Sequence, residues 1–247
     1  MMLYIANAVI EDKGVNYLHI AEKFIDWLNG EPMGIGNHTY HVLTFPEYKD
    51  RPFEASKMVW KMSRYQSAAN GGLMRTSIVG LFPKAVEECA ANICRLAHYD
   101  PRCVGSCVIV SELIHALVYD KPVPSYHQII DIGKRYDDSI EEFIDLAQND
   151  DICSLELQDD DSMGYTLRTL AAALWAYWHA RTFEEGLLAV VRAGGDADTN
   201  AAVACAILGA KFGFNAIPPE YVDGLINKNQ LDDVILGMAE IIKDCNI

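Results

Sequence analysis

Apolar residues in this 247-residue chain recur at helical spacing, and no alternating apolar–polar run ends in a two-residue hairpin turn. A half-buried strand needs such alternation, so helices are left to bury the apolar half of the chain. The spacing predicts helices over 2–11 and over 17–29, the second with Ile20, Phe24, Trp27 and Leu28 on one face and Gly30 closing it. Pro32-Met33-Gly34-Ile35-Gly36 reads as a turn-rich loop. Further helices are expected at 52–65, 73–81 and 83–97. Asp100-Pro101 is an N-cap acceptor followed by proline at the first helical position, and its helix should reach about Tyr119. Helices at 125–134 and 139–148 follow, the latter capped by Asp137 or Asp138, and Asn149–Asp161 is a solvated Asp-rich loop. After a helix from Tyr165 to His179, Thr182-Phe183-Glu184-Glu185 forms a capping box for the next one, and the last helices cover 197–212, 218–227 and 230–243. With no repeat and no linker rich in Pro, Gly or Ser, residues 1–247 should form a single all-α domain.

Charge and cysteine usage narrow the partners. A net charge of −15 excludes general nucleic-acid binding, which requires a basic surface that releases counterions. Phosphate groups can still be met locally by backbone N–H groups at helix starts, or an acidic site neutralised by divalent cations. No apolar run approaches the length of a membrane span, and Met1-Met2-Leu3-Tyr4-Ile5 lacks the basic region of a signal peptide. The seven cysteines are odd in number and set in apolar helical stretches. Reduced core thiols in a cytoplasmic protein are therefore expected.

Chemistry concentrates at Gly194-Gly195-Asp196-Ala197-Asp198-Thr199-Asn200, between the apolar segments Leu187–Val191 and Ala201–Ala210. Two like charges within three residues, at the start of a helix that must be largely buried, cost stability unless something neutralises them. A hard divalent cation does so, since Mg²⁺ or Mn²⁺ takes carboxylate and hydroxyl oxygens. Asp196, Asp198 and Thr199 offer three in four residues. The alternative is a helix cap, with Asp196 accepting free N–H groups and Asp198 favouring the positive helix end.

This stretch, with Gly209-Ala210 after it, resembles the C-terminal metal motif of the ADP-ribosylglycohydrolase family, the dinitrogenase reductase-activating glycohydrolase-like and ADP-ribosylhydrolase-like proteins. Gly164-Tyr165 and Leu170–Ala176 resemble the segment before that motif. Asn70-Gly71-Gly72-Leu73-Met74-Arg75 is similar to the family's Asn-Gly-x-x-Met-Arg loop, and His98-Tyr99-Asp100-Pro101 to its His-x-Asp-Pro segment. The matches run in family order over about residues 2 to 213. The resemblance implies helices around a metal-binding cleft with two Mg²⁺ or Mn²⁺ ions. It also implies hydrolysis of the glycosidic bond between ADP-ribose and a protein side chain or related acceptor. Asp196 and Asp198 would be catalytic and, with Thr199, metal ligands. The substrate would be an ADP-ribosylated protein or an ADP-ribose-containing small molecule.

By the same likeness, Gly34 and Gly36 fall where backbone N–H groups meet the diphosphate, Ser67 and Asn70 at the diphosphate and ribose, and His98 at the ribose. Each has a plainer reading: turn glycines, a turn-forming Asn70, a solvated helix-end Ser67, a loop histidine at His98. Two departures concern the nucleobase. Ala68 stands where some members stack an aromatic on adenine, with Tyr165 as a candidate substitute, and Arg168 stands where an acid is usual. The family's Gly-Asp-x-x-Gly and Thr-Asp-Asp segments are missing, and the helix at Met1-Met2 matches the one that follows them. The resemblance thus implies a chain N-terminally truncated relative to the family, holding one ion or none. A non-catalytic ADP-ribose-binding module and a structural, crystallin-like member are the alternatives to an enzyme. Of the remaining signals, Cys94, His98, Cys103 and Cys107 read as core thiols and a loop histidine rather than zinc ligands. Asp159-Asp160-Asp161 reads as solvated surface, and Trp175, Tyr177 and Trp178 as packing.

Overall fold

In the computed structural model, which describes residues 1–243, every regular element is helical. In chain order the α-helices are α1 (Met2–Asp12), α2 (Tyr17–Asn29), α3 (Asn37–Leu43), α4 (Pro52–Met62), α5 (Leu73–Thr76), α6 (Val86–Arg95) and α7 (Pro101–Val118). They continue with α8 (Tyr126–Lys134), α9 (Ile140–Leu146), α10 (Thr166–His179), α11 (Phe183–Arg192), α12 (Ala197–Phe212), α13 (Pro219–Asp223) and α14 (Lys228–Lys243). Among the described residues the one β-type pairing is an isolated antiparallel bridge between Ala69 and Tyr165. The single all-α fold expected from periodicity is the fold observed.

The axis is α7. Every residue from Cys103 to Ser111 is buried, the signature of a helix surrounded on all sides. It is also the one described helix long and apolar enough to cross a membrane, which corrects the expectation that no run approaches that length. Its apolar faces are covered by α6, α8, α10 and α12. Close approach depends on small residues: a Cβ on Gly105 would lie 2.5 Å from Ile140 Cδ1, and one on Gly80 2.6 Å from Ile114 Cβ. On the other side of α12, a Cβ on Gly186 would lie 2.6 Å from Leu208 Cδ1, so α11 and α12 also meet closely.

The helix starts show how local chemistry sets these positions. Asp100 accepts from the Arg102 backbone N–H at 3.0 Å, with Pro101 at the first helical position, as its sequence suggests. Asp137 rather than Asp138 orders the entry to α9, accepting from the Ser139 N–H at 2.9 Å. At α11 only half of the expected capping box forms: Thr182 accepts from Glu185 N–H, but the Glu185 carboxylate takes the Arg181 N–H instead. The reciprocal box sits at Ser125 and Gln128.

Three other expectations shift, and one helix is added. The loop expected at 32–36 is present, and directly after it comes α3, too short to announce itself by periodicity. The 73–81 helix divides into α5 and a 3₁₀ turn, Ser77–Leu81, whose Gly80 wedges against α7. The 218–227 helix is only α13, ending at Gly224. The Asp-rich 149–161 loop is not wholly solvated, because Leu155 and Leu157 are buried.

Asp100 illustrates the cost of a buried charge held by several donors. It is 1% exposed and receives Trp60 Nε1 at 2.9 Å and Arg102 Nε and Nη2 each at 2.8 Å. Asp100→Ala strips three donors and a helix cap together. Urea unfolding should register a loss of roughly 3 kcal/mol, and a loss below about 1 kcal/mol would mean that the pair contributes little.

Candidate active site

Three distant segments are tied together at Asn70. Its backbone N–H donates to the Gly164 carbonyl at 2.8 Å, and Thr166 N–H donates to Ala68 at 2.9 Å, flanking the Ala69–Tyr165 bridge. Gly164 takes φ of +80°, a left-handed conformation that glycine adopts without penalty. The Asn70 side chain then spans to α10 and α12: its Nδ2 donates to Asp196 Oδ2 at 2.7 Å and to Thr169 Oγ1 at 2.9 Å. Thr169 donates in turn to Asn200 Oδ1 at 2.7 Å.

Asp196 reaches this point through the Gly194-Gly195 turn. Both glycines have positive φ, +77° and +65°, and a Cβ on Gly195 would collide with the Leu157 carbonyl. Although Asp196 stands at the N-cap of α12, its side chain accepts no helix N–H. Asp198, one residue into the helix and exposed, accepts from Thr199 N–H at 2.9 Å. The capping alternative is thus realised at Asp198, while Asp196 is turned to Asn70.

Beside this junction opens a cleft of about 790 Å³. Six residues singled out by sequence line it: Gly34, Gly36, Asn70, His98, Asp196 and Thr199. Gly34 and Gly36 have nothing within 4 Å of a would-be Cβ, so their backbone is open to close approach by a ligand. Asp198, Ser67 and Tyr165 lie outside the lining. Ser67 Oγ instead hydrogen-bonds His38 Nδ1 at 2.8 Å, and His38 does line the cleft. Tyr165 packs its ring against the Arg102 guanidinium, 5.7 Å away, and edge-on to Phe143. Hard-cation donors in the lining are Asp196 and Thr199, with Asp198 on the exposed side of the same turn. Among the described residues no group of three or more His, Cys, Asp or Glu is placed to hold a metal, and Cys94, Cys103 and Cys107 are buried thiols.

The floor is electrostatically unusual. Arg75 is 1% exposed and pairs with no carboxylate among the described residues. Its guanidinium donates to the Gly71 carbonyl at 2.6 Å, to Cys94 at 3.2 Å and to His98 Nδ1 at 3.1 Å, and it lies 5.2 Å over the Phe24 ring. Since a guanidinium only donates, His98 Nδ1 must accept, and the imidazole carries its proton on Nε2. That Nε2 is buried and has no partner. Burial, then the Arg75 charge and the neighbouring His38, push the His98 pKa well below 6.5. His38, 5.0 Å away ring to ring, is pushed down mainly by burial, and its Nε2 is also unpartnered.

A histidine whose folded pKa lies below its unfolded value binds fewer protons when folded. Its contribution to stability is complete above the unfolded value of 6.5 and is lost as pH falls below it. Urea midpoints measured across this range should therefore fall with acidification. His98→Gln should flatten the slope by up to ~1.4 kcal/mol per pH unit, and an unchanged slope would place the titration elsewhere.

The sequence profile of the ADP-ribosylglycohydrolase family matches residues 1–245. ADP-ribosylarginine hydrolase Tri1 of Serratia proteamaculans is 22% identical over 95% of this chain, which spans 64% of that protein's length. ADP-ribosyl-[dinitrogen reductase] glycohydrolase of Rhodospirillum rubrum is 23% identical over 97% of this chain and 78% of its own. A solved structure of an ADP-ribosylglycohydrolase-related protein complex shares the fold, with a TM-score of 0.73 at 21% identity, over 98% of this chain and 79% of that one. From its opening helix to α14, the chain belongs to the ADP-ribosylglycohydrolase family.

Proposed function

We propose that this chain forms the ADP-ribose cleft and part of the metal centre of a hydrolase. The reaction would cleave the glycosidic bond between ADP-ribose and a protein side chain. One observation carries the reading: open glycine backbone, paired polar side chains and carboxylate oxygen, from four separate segments, line a single cleft above a buried guanidinium that has no carboxylate partner among the described residues. A buried cation lacking a counter-charge favours an anionic ligand, here the diphosphate, which Gly34 and Gly36 can approach through the backbone. Asn70 and the Nε2–H of His98 then suit the ribose hydroxyls. Cytoplasmic location accords with the buried free thiols.

Asp196, Thr199 and, from the exposed side of the same turn, Asp198 would hold one Mg²⁺ or Mn²⁺, with the remaining positions left to water and ligand oxygens. Bound there, a divalent cation supplies Lewis-acid polarisation of the ribose oxygens and lowers the pKa of water. Asp196 anchors that site through the oxygen left free by Asn70. His98, held neutral, donates without competing for the cation. The arginine linkage in the name of the Serratia relative makes an ADP-ribosylated arginine the first substrate to try.

A second reading, a non-catalytic ADP-ribose-binding module, is favoured by the position of Asp198 outside the lining and the lack of a described three-ligand metal group. The two differ in a direct assay. The hydrolase reading expects Mg²⁺- or Mn²⁺-dependent release of ADP-ribose from an arginine-modified protein. Asp196→Ala and Asp198→Ala should each lower it at least about 100-fold, or ~2.7 kcal/mol of transition-state stabilisation. Calorimetric nucleotide binding that ignores chelator, with no turnover, would establish the module instead.

A further inference from the structure

The interface between α10 and α12 is built mainly from alanine, leucine and valine, yet it buries two polar side chains that do not line the cleft. Thr169 is 1% exposed and Asn200 3%. Burying a hydroxyl and an amide among apolar residues costs stability unless each is hydrogen-bonded. Their bonds run in one direction only. The Asp196 carboxylate can only accept, so Asn70 must present its amide nitrogen at 2.7 Å. The second Asn70 N–H goes to Thr169 Oγ1, which leaves the Thr169 proton to Asn200 Oδ1. Rotating the Asn70 amide by half a turn would set its oxygen against both the carboxylate and the Thr169 oxygen. The chain Asn200–Thr169–Asn70 therefore admits one arrangement.

We infer that Thr169 and Asn200 are positioning residues for Asp196. They lock the Asn70 amide so that it holds Asp196 Oδ2, while Oδ1 carries no bond to Asn70. Asp196 would then offer Oδ1 as the freer oxygen to a cation, and the Asn70 carbonyl oxygen is left for a ligand hydroxyl. This inference rests on the metal reading of the proposed function, while its core, the locked amide, is observable without any metal.

Two measurements on the whole chain separate these levels. In side-chain amide NMR of the metal-free protein, both Asn70 Nδ2 protons should exchange slowly, and Thr169→Val, which keeps the shape and removes the hydroxyl, should release one of them. Freely exchanging Asn70 protons in the unsubstituted protein would overturn the relay outright. In Mn²⁺ titrations followed by electron paramagnetic resonance, Thr169→Val should weaken binding roughly 10-fold or more, and Thr169→Ser should restore it. Circular dichroism would verify that the variants keep their helices, and Asn200→Ala serves if Thr169→Val does not fold. Wild-type Mn²⁺ affinity in folded Thr169→Val would refute the positioning role. An unsubstituted protein that takes up no Mn²⁺ would instead refute the metal reading, leaving the NMR result to judge the relay alone.

Discussion

The site depends on one asparagine being both backbone and bracket. Asn70 joins a two-residue extended pairing with Gly164–Thr166 to the first turn of α12, so that segments about a hundred residues apart are fixed within hydrogen-bond reach. In an all-helical protein, helices pack through side chains, and the spacing between them follows the side chains at each contact. A backbone bridge is stiffer, because its donors and acceptors must be satisfied once buried. Placing that bridge next to the Asp196 carboxylate puts a stiff part of the fold at the edge of the cleft.

A second constraint acts on the Gly194-Gly195 turn from the outside. Arg168 of α10 donates to the Leu155 carbonyl and pairs with Glu156 at 3.1 Å, holding the 149–161 loop against the domain. Leu157 and Gln158 then lie directly over the two glycines. The Glu156 pair is solvent-facing and contributes little by itself. What it does is deny the turn any side chain, so the direction in which Asp196 leaves the backbone follows from the loop above it. Arg168 thereby has a structural role in this chain.

α2 was readable in the sequence because its burial is one-sided, on Ile20, Ala21 and Phe24. α10 and α7 are buried nearly all round, and they were readable from their apolar length and, for α7, from the Asp100-Pro101 start. Among the short segments the outcome was mixed: α9 was found, while α3, equally long, was not. Among the seven residues of α3 only Thr39, Val42 and Leu43 are buried, too few for a pattern. The 149–161 loop misled through its aspartates, which hide the buried pair Leu155 and Leu157. Within the site, crowded like charges mark Asp196 and Asp198 on physical grounds. The cleft glycines and His98 emerge only through resemblance. The Ser67–His38 contact and the role of Thr169 carry no local signal, since they depend on partners 29 and 31 residues away.

The thiols beneath the cleft complete the picture. Cys94 packs under Gly72, where a Cβ would sit 3.1 Å from its sulfur, and donates to the His98 carbonyl. Burial raises its pKa and that of Cys103 well above the ordinary thiol value, so neither is nucleophilic in the closed protein. Because both are fully buried, a reagent reaches them only when the packing around them opens. Their rate of alkylation is accordingly a clock for how often the packing beneath the cleft comes open.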